Sequence, residues 1–81
     1  MKRRRSLTRA LTRAFGQVIR DERLRAGMSQ ERLGFGAKVH PTYISQLERG
    51  LKSPSLEVVA SLAKALNHEA HALVRAAEER A

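Results

Sequence analysis

Apolar residues recur along the chain at intervals of three and four, in blocks separated by glycine, proline or asparagine. Leu11, Phe15, Val18, Ile19 and Leu24 fall at mostly helical spacing and predict a first amphipathic helix over about 7–26. Gly27 follows as its C-terminal stop. Ser29 is a good N-cap for a short second helix, which Leu33 and Ala37 anchor inward. Gly34 and Gly36 each cost that helix about 1 kcal/mol relative to alanine, so tertiary packing must hold it. Gly34 fits a point where two helices approach closely.

Pro41 suits the first turn of a third helix, where its missing N–H is harmless. Ile44 and Leu47, three apart, face inward, while Thr42, Tyr43, Gln46 and Arg49 fall on another face, free to meet a partner. Gly50 ends this helix, and Ser53, Pro54 and Ser55 mark the next start. Leu56, Val59, Leu62, Ala63 and Leu66 form the stripe of a fourth helix over about 55–66, with Asn67 as a left-handed cap. Ala70, Leu73, Val74 and Ala77 stand at i, i+3, i+4 and i+7 of a fifth, over about 69–80. With β-branched runs scarce, the fold class expected is all-α, a compact five-helix bundle of one domain.

Charge sharpens the picture. The 81 residues carry a net +8, and Lys2, Arg3, Arg4, Arg5, Arg9, Arg13 and Arg20 all precede the first acid, Asp21. Such an excess suits a polyanion, with nucleic acid as the default and an anionic membrane surface as the rival. No apolar run approaches the ~20 residues that span a bilayer. The basic start lacks the apolar core of a secretory signal. Its Arg, Ser and Thr content is shared with transit peptides, but the stretch runs directly into a core-forming helix. Residues 1–13 read as a basic arm or an extension of the first helix, and 14–81 as the folded domain. As an arm they can track phosphates or enter a minor groove; as a tail they merely solubilise. There is no cysteine, which excludes disulfides and thiolate metal sites. A cytoplasmic location is compatible with that.

The run Ser29–Gly50, SQERLGFGAKVHPTYISQLERG, is a short helix, a tight turn and a second short helix with a polar outer face. Small proteins use that arrangement to place one helix in the major groove of DNA. Thr42, Tyr43 and Gln46 are the base-reading candidates. Glutamine can bond adenine N6 and N7 together, threonine can touch a thymine methyl or bond a base edge, and tyrosine does some of both. Pro41 can touch a thymine methyl or shape the helix entry. Gln30, at the start of the second helix, is placed to hold a phosphate with the helix N-terminal amides. Arg49 and Lys52 flank the end of the third helix as phosphate clamps. His68 and His71 are three apart but lack further ligands, so no metal is expected. No nucleophile–base constellation and no phosphate-cradling glycine loop is present, and neither enzyme activity nor a cofactor is expected.

From Phe15 to Val74 the chain resembles the Cro/C1-type (Xre-family) helix-turn-helix domain of phage repressors and restriction-system controller proteins. The matching stretches are IRDERLRAGMSQ, TYISQLERG and SPSLEVVASLAKALN, in that order. The resemblance implies a lambda-repressor-like bundle with helices two and three as the helix-turn-helix and helix three as the recognition helix. It implies a homodimer formed partly through the last helix, on a palindromic operator with half-sites roughly 34 Å apart; the stripe of Ala70, Leu73, Val74 and Ala77 reads as core, dimer seam or both, and both is favoured because the apolar helix surface exceeds what one small core needs. It also implies a partly buried ion pair between Arg23 and Glu48. Three places depart from the family pattern. Lys38 stands where the turn usually has glycine, His40 where the recognition helix usually has a Ser or Thr cap, and His68–Glu69 where the last joint usually has an apolar residue followed by Ser or Thr.

The function expected is a sequence-specific, double-stranded-DNA-binding regulator that blocks or recruits polymerase, with repression and autoregulation favoured since so short a chain holds no sensor domain. Two rivals come from other classes. One is the antitoxin of a toxin–antitoxin pair, with a toxin protein as partner. The other is a coactivator or scaffold that binds nucleic acid nonspecifically.

Overall fold

The computed structural model describes residues 2–81, with side chains from Arg9 onward. It contains five helices, α1 (Lys2–Arg25), α2 (Gln30–Ala37), α3 (Pro41–Glu48), α4 (Leu56–Ala65) and α5 (Ala70–Arg80), and no strand among the described residues. No helix there is long and apolar enough to cross a membrane. Helix α1 packs on α5 and α3, and α2 packs on α3 and α4, so the helix-turn-helix is gripped from both sides. Ile19, Leu33, Ile44, Leu47 and Leu62 are fully buried at the centre, each contributing about 1.5–3 kcal/mol of burial.

Helix α1 starts at Lys2, earlier than the spacing of apolar residues predicts. Nothing before Gly16 is a glycine or proline, so no residue there stops the helix. Three expected core leucines lie outside the core, Leu11 among them at 37% exposure. Leu24 is 54% exposed, because in the last turn of α1 the inward position belongs to Arg23; Leu56 is 84% exposed, because α4 enters the core only at Val59.

The helix ends follow local chemistry. Ser29 Oγ accepts from the Arg32 N–H at 3.0 Å and Ser55 Oγ from the Val58 N–H at 3.1 Å. Asn67 caps α4 in the left-handed region, φ 60°. Glu69 makes no side-chain cap to α5; that end is held instead by His68, whose Nε2 lies 2.8 Å from Glu22 Oε1 on α1. At the far end of α5, Arg80 donates to Asp21 at 2.7 Å.

The turn between α2 and α3 is closed by Val39 N–H donating to the Gly34 carbonyl at 2.9 Å. A Cβ on Gly34 would stand 2.6 Å from the Val39 carbonyl oxygen, which explains the glycine: the approach is to the turn's own backbone. Lys38 takes the left-handed conformation, φ 61° and ψ 41°, at a cost of about 1–2 kcal/mol for a residue with a Cβ. Glycine removes that cost but gives back roughly 0.5–1 kcal/mol in chain entropy. Lys38→Gly is therefore expected to stabilise the domain by about 0.5–1 kcal/mol, read as a small rise in melting temperature; a fall would show that the lysine side chain contributes something the backbone does not.

Candidate nucleic-acid interface

Helix α3 presents two unlike faces. Ile44 and Leu47 are fully buried, and these two anchors fix the helix's rotation about its axis. Thr42 and Arg49 are then exposed, and Ser45 and Gln46 half-exposed between them, giving an outer face of four polar residues at i, i+3, i+4 and i+7. Ser45 joins the face that the spacing gives to Thr42, Gln46 and Arg49, and its place three residues after Thr42 is the signal that finds it. Tyr43 and Pro41 are half-buried at the edges. Tyr43 also packs against the core, and burial raises its hydroxyl pKa above the ordinary value. Its neutral hydroxyl can both donate and accept.

The start of α3 is held by His40. Its Nδ1 accepts from the Thr42 N–H at 3.0 Å, supplying through an imidazole what a Ser or Thr hydroxyl supplies elsewhere. The end is held by Glu48. Its carboxylate accepts from Arg23 Nε at 2.7 Å and from Arg23 Nη2 at 3.0 Å, a bidentate pair between α1 and α3. Arg23 also donates to the Met28 carbonyl at 2.9 Å, and Gln30 Nε2 donates to Glu48 Oε1 at 3.1 Å. One carboxylate thus joins α1, α2 and α3. The hydrogen bond to Glu48 raises the Arg23 pKa further, against desolvation, so the guanidinium stays charged. Among the described residues no buried side-chain polar atom lacks a partner.

Gln30 is the first residue of α2, just after the Ser29 cap. Part of its amide is committed to Glu48, a link that sequence spacing does not reveal. Gln30, Ser29, Glu31, Pro41, Thr42, Ser45 and Arg23 line one open cleft between the starts of α2 and α3. Glu31 sets a carboxylate beside Gln30, weakening the pull of the α2 N-terminus on an anion. Arg49 caps α3, donating from Nε to the Ser45 carbonyl at 3.3 Å, and both Arg49 and Lys52 are exposed.

The residues expected at a dimer seam separate into two sets. Leu73 and Ala77 are buried within the protomer at 2% and 0% exposure and belong to its core. Ala70 and Val74, one turn apart, are only half-buried.

A helix-turn-helix family profile matches residues 19–70. The control protein C.BamHI of Bacillus amyloliquefaciens is 43% identical over 61 residues, 74% of this chain and 75% of its own length. The clp gene regulator ClgR of C. glutamicum superposes with a TM-score of 0.81 at 33% identity, covering 86% of this chain and 90% of that one. The restriction-modification controller protein C.AhdI of Aeromonas hydrophila superposes at 0.74 with 38% identity, covering 78% and 94%.

Proposed function

The chain belongs to the Cro/C1-type helix-turn-helix family of DNA-binding transcription regulators, and from that premise we propose that it represses transcription as a homodimer on a palindromic operator. The observation that carries this reading is the outer face of α3: four polar residues on a helix whose rotation is fixed by two buried aliphatics and whose ends are held by His40 and Glu48. A helix so fixed can deliver Thr42 and Gln46, flanked by Pro41 and Tyr43, to base edges in the major groove. Gln30, Arg49 and Lys52 set its register on phosphates. Ala70 and Val74 are what α5 offers to the second copy. Repression follows by occupying promoter DNA. The chain acts in the cytoplasm, on the nucleoid, with no catalytic step.

Selection of sites from random duplex at about physiological salt tests this, since nonspecific binding is then weak. The expected result is an enriched palindrome with half-sites about one helical turn apart. Gln46→Ala is expected to relax preference at one position per half-site, losing about 1–3 kcal/mol of discrimination there. Binding only at low salt without enrichment would favour the nonspecific scaffold, and co-purification of a second small protein would favour the antitoxin.

A further inference from the structure

The exposed face of α1 near the end of α3 has no role in the helix-turn-helix contact described above. A Cβ on Gly50, the residue that terminates α3, would stand 3.2 Å from Arg13 Cα and 3.5 Å from Arg13 Cβ and Cγ. Arg13 therefore lies directly over the end of the recognition helix. Gly16, one turn further along α1, meets the last carbonyls of the same helix, with Glu48 O 3.1 Å from where its Cβ would be. One face of α1 is thus set against the C-terminal end of α3. Arg9, four residues before Arg13, continues that face, and both arginines are exposed.

Charge makes this face unusual. Arg9 and Arg13 take part in none of the described ion pairs. The carboxylates of α1 are engaged elsewhere, Asp21 by Arg80 and Glu22 by Arg25 and His68, and Glu48 is taken by Arg23. Arg49 and Lys52, on either side of Gly50, are exposed as well. Two cations on α1 and two at the end of α3 therefore lie along one side of the molecule, and none of the four takes part in a described ion pair. Such a gathering opposes folding through self-repulsion and is relieved by a polyanion.

We propose that Arg9 and Arg13 form a second line of phosphate contacts, extending the DNA interface from the end of α3 along α1 onto backbone flanking each half-site. The occupant is the phosphodiester backbone of duplex DNA, by charge complementarity and by continuity with Arg49 and Lys52; the proposal rests on the reading that duplex DNA is the partner. Because α1 is helical from Lys2, the contact is made by a rod. Its arginines sit at fixed positions relative to α3.

The test uses the full chain, with affinity measured against salt on a selected site and on a scrambled duplex of equal length, both carrying about ten base pairs of flank. Each phosphate contact contributes about 0.9 to the slope of log affinity on log salt. Arg9→Gln/Arg13→Gln is expected to flatten the slope by about 2 per protomer on both duplexes. The preference for the selected site should stay unchanged, and Arg9→Lys/Arg13→Lys should restore the slope. An unchanged slope overturns the proposal. So does a fall in melting temperature with the slope intact, since Arg13 would then serve only the negative end of the α3 dipole. Failure of the base-reading assignment shows separately, as a wild-type protein that does not distinguish the two duplexes.

Discussion

Glu48→Ala is expected to lower stability by about 3–5 kcal/mol, the cost of leaving a buried charge without its partner. The carboxylate is 4% exposed and the Arg23 side chain 10%, so water reaches neither freely. Removing it strands three donor groups at once, two on Arg23 and one on Gln30; only the Met28 carbonyl still accepts from the guanidinium. For a domain whose whole stability is about 5–15 kcal/mol, the loss is a large share, and thermal unfolding should report it as a fall of more than about 10 °C. Glu48→Gln keeps an acceptor for Gln30 but not the charge, and should fall between. Arg23→Met/Glu48→Met removes both charges, and replacing a buried pair with apolar groups is often neutral or stabilising. If that double variant folds normally yet reads its site less well, the pair serves to orient α3. A melting temperature for Glu48→Ala within a degree of wild type would mean that the three helices are not joined through this carboxylate.

The contrast between what spacing revealed and what it concealed has a physical basis. Helix number, order and most boundaries follow from apolar intervals and from caps, because those signals lie within one segment. Ser29, Ser55, Gly50 and Asn67 each act on backbone a few residues away. Lys38 and His40, seen in the sequence as departures, take up the conformation and the capping role of the residues they replace. Contacts between segments are a different matter. The bond from Gln30 to Glu48 depends on where α2 starts relative to the last turn of α3. The α5 stripe shows that Leu73 and Ala77 share a face with Ala70 and Val74, but how deeply that face sinks into α1 is set by packing, and it puts the first two residues in the core. Leu24 fails as a core residue for the same reason, since the neighbouring Arg23 has a carboxylate waiting on α3.

Gly16→Ala should be the most damaging of the single-methyl changes, although helix propensity alone favours it. In the interior of α1 alanine is better than glycine by about 1 kcal/mol, and the residues around Gly16 carry no turn signal. The added Cβ, however, would collide with the Leu47 carbonyl oxygen and stand 3.1 Å from Glu48 O and 3.2 Å from Glu48 C. These are backbone atoms in the last turn of α3, and they cannot swing aside as the end of a flexible side chain can. Either α1 or α3 must move, and both are locked to each other through Arg23 and Glu48 a few residues away. Overpacking of this kind costs about 1–3 kcal/mol, enough to outweigh the propensity gain, and the displaced element is the one that carries Thr42, Ser45 and Gln46. The expected result is a lower melting temperature together with loss of site discrimination out of proportion to the fraction unfolded. Gly36→Ala is the control: its Cβ would meet only the Ala65 methyl at 3.3 Å, and stability should stay within about 1 kcal/mol of wild type. If Gly16→Ala instead raises stability and leaves site preference intact, α1 and α3 have room to separate, and the rotation of the recognition helix is not set at this crossing.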